Sequence, residues 1–85
     1  MSKAFQEQLT RDEALLIDGI ARVRERKRMT REQLSLAMGA PKNLISKLES
    51  HSRGLEGALI MAIAKALKMK PERLLREALQ EASEE

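Results

Sequence analysis

Lys42, Asn43, Ser46 and Lys47 fall on one side of a short helical pattern whose other side is Leu44, Ile45 and Leu48. A lysine ammonium can donate to O6 and N7 of guanine, and an asparagine amide can pair through two hydrogen bonds with N6 and N7 of adenine. A helix with an apolar inner face and a polar, basic outer face at its N-terminal end suits a reader of the DNA major groove. Charge along the chain agrees. Residues 20–53 carry nine basic and three acidic side chains, whereas residues 1–19 and 71–85 are each net acidic. A basic middle between acidic ends is the footprint of a polyanion site, although a solvated helix face produces the same run.

Other chemistries lack their residues. With no cysteine there is neither a disulfide nor a thiolate metal site, which fits a reducing compartment. His51 is the only histidine, so the three or four converging ligands of a metal site are not available, and no metal or cofactor is expected. The chain has no Tyr or Trp, no glycine-rich phosphate loop and no visible nucleophile–base pair, so it does not read as an enzyme. No run of ~18 apolar residues could span a membrane. Residues 1–9 have no apolar stretch like that of a signal peptide, and the expected location is the cytoplasm.

These side chains must be positioned by helices. Leu, Ala, Glu, Lys, Arg and Met dominate, and Phe5 is the only aromatic residue, so an all-α fold is expected. A single domain is expected over residues 10–82, with residues 1–9 as a frayed arm or short helical lead-in and 83–85 as a frayed tail. Thr10-Arg11-Asp12-Glu13 has the form of a capping box and predicts the start of the first helix, with Leu16, Ile17, Ile20 and Val23 as its stripe. Thr30-Arg31-Glu32-Gln33 is a second capping box. It predicts a helix over about 31–38, closed by Gly39, which takes the left-handed conformation at low cost. Pro41 suits a helix first turn, predicting a third helix over about 41–50. Leu59, Ile60, Ile63, Ala64 and Leu67 mark a fourth helix, and Pro71 opens a fifth over 71–82. Two short helices joined by Met38-Gly39-Ala40-Pro41 match a helix-turn-helix, whose tight glycine turn lets the second helix enter the major groove. An ordinary helical hairpin is the alternative.

Residues 20–75 resemble the helix-turn-helix domains of the lambda-repressor and Cro type. Ile20, Val23 and Arg24 are similar to the end of that family's first helix, and Met29-Thr30-Arg31-Glu32-Gln33-Leu34-Ser35 to the start of its second. Met38-Gly39 is similar to its turn, and Ile45-Ser46-Lys47-Leu48-Glu49 to the body of its recognition helix. Ala64-Lys65-Ala66-Leu67-Lys68-Met69 and Leu74-Leu75 are similar to its fourth helix and the start of its fifth. The joint order and spacing carry the likeness, over about two-thirds of the chain. In length and type the chain also resembles the small plasmid-borne repressors of the Kor group.

The resemblance implies a five-helix bundle and assigns base contacts to Lys42, Asn43 and Lys47, with Ser46 as a further candidate. It implies a partly buried ion pair between Arg24 and Glu49 that orients the recognition helix. Phosphate contacts are expected from Thr30 and Arg31, at the start of the second helix, and then from Ser52 and Arg53. Arg22, Arg26 and Arg28 are expected only to set the field. The family usually has Ser or Thr where Pro41 stands, as a cap and sometimes a phosphate contact, and proline can serve as neither. It often has glycine where His51 stands, so the exit from the third helix is a point where this chain can differ.

A domain of this size buries only about 60% of the surface its unfolded chain exposes, so a subunit interface would help it. Leu75, Ala78, Leu79 and Ala82 are expected to form an apolar stripe for a two-fold homodimer, unless Phe5 and Leu9 cover it within one chain. The expected partners are a second copy and double-stranded DNA bearing an inverted-repeat operator. A chain little longer than the domain itself leaves no room for a small-molecule effector unit, as in a compact phage, plasmid or chromosomal repressor. An antitoxin that represses its own operon and a protein-interaction module built on the same fold remain alternatives.

Overall fold

The structure is a computed structural model, and it describes residues 2–83. Five helices make up the described chain: α1 (Lys3–Arg26), α2 (Arg31–Ala37), α3 (Leu44–Glu49), α4 (Gly57–Ala66) and α5 (Pro71–Ser83). Of the expected tail 83–85, Ser83 belongs to α5 and the remainder lies outside the described residues.

The start of α1 corrects the expectation drawn from Thr10. The helix begins at Lys3 and is capped by Ser2, whose hydroxyl accepts the Phe5 N–H at 3.1 Å. Thr10 sits inside the helix and donates its hydroxyl to the Gln6 carbonyl at 3.0 Å. Glu13 does not turn back to Thr10 but accepts the Leu55 N–H at 3.0 Å. The residues before Thr10 are mostly good helix formers with no breaker among them, so the helix propagates through the box. The expected arm is thus a continuous helical lead-in, tied along its length by Gln8 to Asp12 and Arg11 to Gln8. Phe5 and Leu9 on it are 49% and 41% exposed, so much of their own apolar surface faces outward.

Ile17, Ile20 and Val23 of α1 meet Leu34 of α2, Ile45 and Leu48 of α3, Leu59 and Ile63 of α4, and Leu74 of α5 in one core. The largest helix–helix contact is between α1 and α5. There Gly19 lets the backbones close up: a Cβ at that position would sit 2.1 Å from the Ala78 carbonyl oxygen. Arg22 donates to the Glu81 carbonyl at 3.2 Å, and Arg26 pairs with Glu77 and Glu81. Arg73, hydrogen-bonded to Glu77, together with burial-opposing charge from Arg26, holds the Glu77 carboxyl below its usual range.

This contact also corrects the expected dimer stripe. Ala78 and Ala82 are buried within the chain, Ala78 at the close approach of α5 to Gly19. Leu75 is half-buried, and only Leu79, 50% exposed, presents a large apolar surface. Substituting Gly19 with alanine should therefore cost about 1–3 kcal/mol or more, since the obstructing atom is backbone and cannot swing aside. Urea denaturation of G19A measures this, and an unchanged midpoint would mean that the two helices are not so closely packed.

Candidate nucleic-acid interface

Helix α2 starts where the second capping box places it. Thr30 Oγ1 accepts the Gln33 N–H at 3.0 Å, and Gln33 Oε1 accepts the Thr30 N–H at 2.8 Å. The helix stops at Met38, and Gly39 turns the chain with φ +72°, in the left-handed region that favours glycine. The expected third helix over 41–50 is shorter in the structure. Residues 41–44 form a tight turn closed by the Leu44 N–H on the Pro41 carbonyl at 3.0 Å, and Asn43 occupies the N-cap position of α3. The first α-type bond comes only with the Lys47 N–H on the Asn43 carbonyl, because Lys42 and Asn43 are still in the turn.

Helix α3 has six residues and is seated by Ile45 and Leu48, both buried. Its first turn is capped from another helix. Ser35, fully buried on α2, donates its hydroxyl to the Arg31 carbonyl at 2.9 Å and accepts the Ile45 N–H at 3.0 Å. That N–H is one of the orphan donors of a helix start. Asn43, which as N-cap would ordinarily accept such a bond, makes no side-chain cap bond. Sequence reasoning missed Ser35. Its only signal is a serine one helical turn after Arg31, beside the core residue Leu34.

At the other end, Arg24 and Glu49 come together. Arg24 Nε donates to Glu49 Oε2 at 2.7 Å and Nη2 to Oε1 at 3.1 Å, while Nη1 donates to the Met29 carbonyl at 2.7 Å. The side chains are 8% and 11% exposed. Arg31 joins them, its Nε donating to Glu49 Oε1 at 2.8 Å. This bond to Glu49 raises the Arg31 pKa above its ordinary value.

The exposed surface is polar. Lys42, Asn43, Ser46 and Lys47 are all exposed, and none of these side chains has a hydrogen-bond or ionic partner among the described residues. Thr30 is exposed beside Arg31 at the start of α2. Past α3, Ser52 Oγ lies 2.8 Å from Ser50 Oγ, and Arg53 Nη2 lies 3.3 Å from Glu56 Oε1. His51 takes φ +63°, keeping at the exit of α3 the left-handed conformation that glycine favours, and its Nε2 lies 3.2 Å from Asp18 Oδ1. Arg22 and Arg26 are engaged with α5, so they belong to the α1–α5 contact. No three His, Cys, Asp or Glu side chains among the described residues are placed to hold a metal ion, and no described helix is long and apolar enough to cross a membrane.

Removing Glu49 strands the Arg24 guanidinium in a poorly hydrated place and should cost about 3–5 kcal/mol, whereas removing Arg24 leaves Glu49 its bond from Arg31 and should cost less. The double-mutant cycle R24A/E49A should then show coupling well above the ~1 kcal/mol ceiling of an exposed pair. Denaturant melts of the four proteins supply the numbers, and additive losses would contradict the pairing.

No curated protein and no solved structure matches the chain significantly. The helix-turn-helix family profile matches residues 20–74, which span the last two turns of α1, all of α2 to α4 and the opening of α5. With the glycine turn, the seated α3 and its free polar face inside that span, the chain belongs to the helix-turn-helix family of the lambda-repressor and Cro type, a family of DNA-binding transcriptional regulators.

Proposed function

We propose that the protein is a sequence-specific repressor that binds an inverted-repeat operator as a homodimer. The observation that carries this reading is the unoccupied polar surface at the start of α3. Ser35 satisfies the Ile45 N–H that Asn43 would otherwise be placed to cap, so the Asn43 amide keeps both its donor and its acceptor for a base. Adenine offers the matching pair on its N6 and N7 edge, and Lys42 and Lys47 can donate to guanine O6 and N7. Ser46 lies on the same exposed surface.

Phosphates bind at Thr30 and Arg31 on one side and at Ser52 and Arg53 past the end of α3. Such contacts fix register and orientation without reading sequence. In the dimer, Leu79 and the half-buried Leu75 of each copy meet across a two-fold axis, which sets the two copies of α3 about 34 Å apart, one turn of DNA. Occupying the operator blocks transcription.

Selection of bound duplexes from a random pool should return an inverted repeat with half-sites about 10–11 base pairs apart, centre to centre. On that operator N43A should lose about 1–3 kcal/mol of binding free energy and lose little on random DNA. An operator-to-random ratio that N43A leaves unchanged would remove Asn43 from base reading. Selected sites without two-fold symmetry would remove the dimer.

A further inference from the structure

We infer that Glu49 is a positioning residue for a phosphate contact made by Arg31, in addition to its pairing with Arg24; this rests on the reading of Arg31 as a phosphate ligand. Arg31 is the first residue of α2, and its side chain is 58% exposed. An exposed arginine ordinarily samples many rotamers and gives up that freedom when it binds. Here the freedom is already restricted, because Arg31 Nε is held on Glu49 Oε1 at 2.8 Å. Glu49 is itself fixed by two hydrogen bonds from Arg24 and is 11% exposed. A guanidinium has five N–H donors in a rigid fork. The bond to Glu49 uses the one on Nε and leaves both terminal amino groups without a partner among the described residues.

Two guanidinium groups share the Glu49 carboxylate, and Glu25 acts on Arg31 through space, so what the cluster offers an incoming anion is the pair of open terminal amino groups at its exposed edge, where Arg31 stands. Glu49 is the last residue of α3. One carboxylate therefore links the backbone anchor on α2 to the far end of the base-reading helix, so that grip on the phosphate and orientation of α3 are set together. Lysine at position 31 could not do both jobs, because a single ammonium cannot hold Glu49 through one rigid edge and present another.

The test measures binding of a random-sequence duplex against salt concentration for the full chain and for R31A, E49Q, R31A/E49Q and R31K, each checked for folding by circular dichroism. R31A should lower the log–log salt slope by about 0.9 and weaken binding roughly tenfold near 0.1 M salt. E49Q removes the charge that the two arginines share and turns an amide NH2 toward one of their N–H groups, so it should lose most of that affinity while Arg31 is present, and R31A should cost almost nothing further in the E49Q background. R31K should bind more weakly than wild type despite its equal charge. Wild-type binding by E49Q together with a loss in R31A would overturn the inference, and so would E49Q binding tighter than wild type, since Glu49 would then compete with phosphate. If E49Q does not fold, R31K decides, and wild-type affinity there overturns the inference. A wild-type protein that ignores the duplex, or an R31A variant indistinguishable from it, would instead overturn the phosphate reading of Arg31 and the inference with it.

Discussion

A six-residue helix has too few hydrogen bonds to persist alone in water, so α3 is helical because of what holds it at its two ends. At the start, the buried Ser35 hydroxyl takes the Ile45 N–H. At the finish, Glu49 is gripped by Arg24 from α1 and by Arg31 from α2. Between them Ile45 and Leu48 fill the core. The two polar ties also set the rotation of the helix about its axis, which apolar packing fixes less sharply because hydrophobic contact is non-directional. Rotation decides which side chains emerge, and so the free surface of Lys42, Asn43, Ser46 and Lys47 follows from bonds made by Ser35, Arg24, Arg31 and Glu49, none of which belongs to it.

The remainder of the fold supports those ties. Arg24 is in place because α1 is anchored through Ile20 and Val23 and through its close contact with α5 at Gly19. Its Nη1 also holds the Met29 carbonyl, just before the Thr30 cap. One arginine thus joins the end of α1, the start of α2 and the end of α3. A change at Gly19 on α1 or Ala78 on α5 would reach the exposed face of α3 through this chain of contacts.

Much of the fold was legible in the sequence because its signals are local. The Thr30 box, Gly39 and the stripes of α4 and α5 each depend on residues a few positions apart. The Thr10 box has the same form as the Thr30 box, yet Thr10 caps nothing. The difference is what precedes them. Thr30 follows Arg28, which takes a left-handed φ of +59° and ends α1, whereas Thr10 follows Gln6 to Leu9, which extend a helix. What the sequence hid was long-range. Ala78 reads as a member of an apolar stripe, but its partner, Gly19, lies far away in the chain. Ser35 and the second arginine on Glu49 were invisible for the same reason: each bond joins residues ten or more positions apart, at types that suit a surface equally well.

The central claim is that α3, held at both ends, presents the DNA-reading surface. Two-dimensional amide NMR of the full chain, titrated with a short DNA duplex, tests it directly. Shifts should concentrate at Thr30 and Arg31, through residues 42–47 and at residues 50–53, with α5 and the exposed first turns of α1 unaffected. Shifts confined to the first turns of α1 or to α5, with residues 42–47 silent, would contradict it.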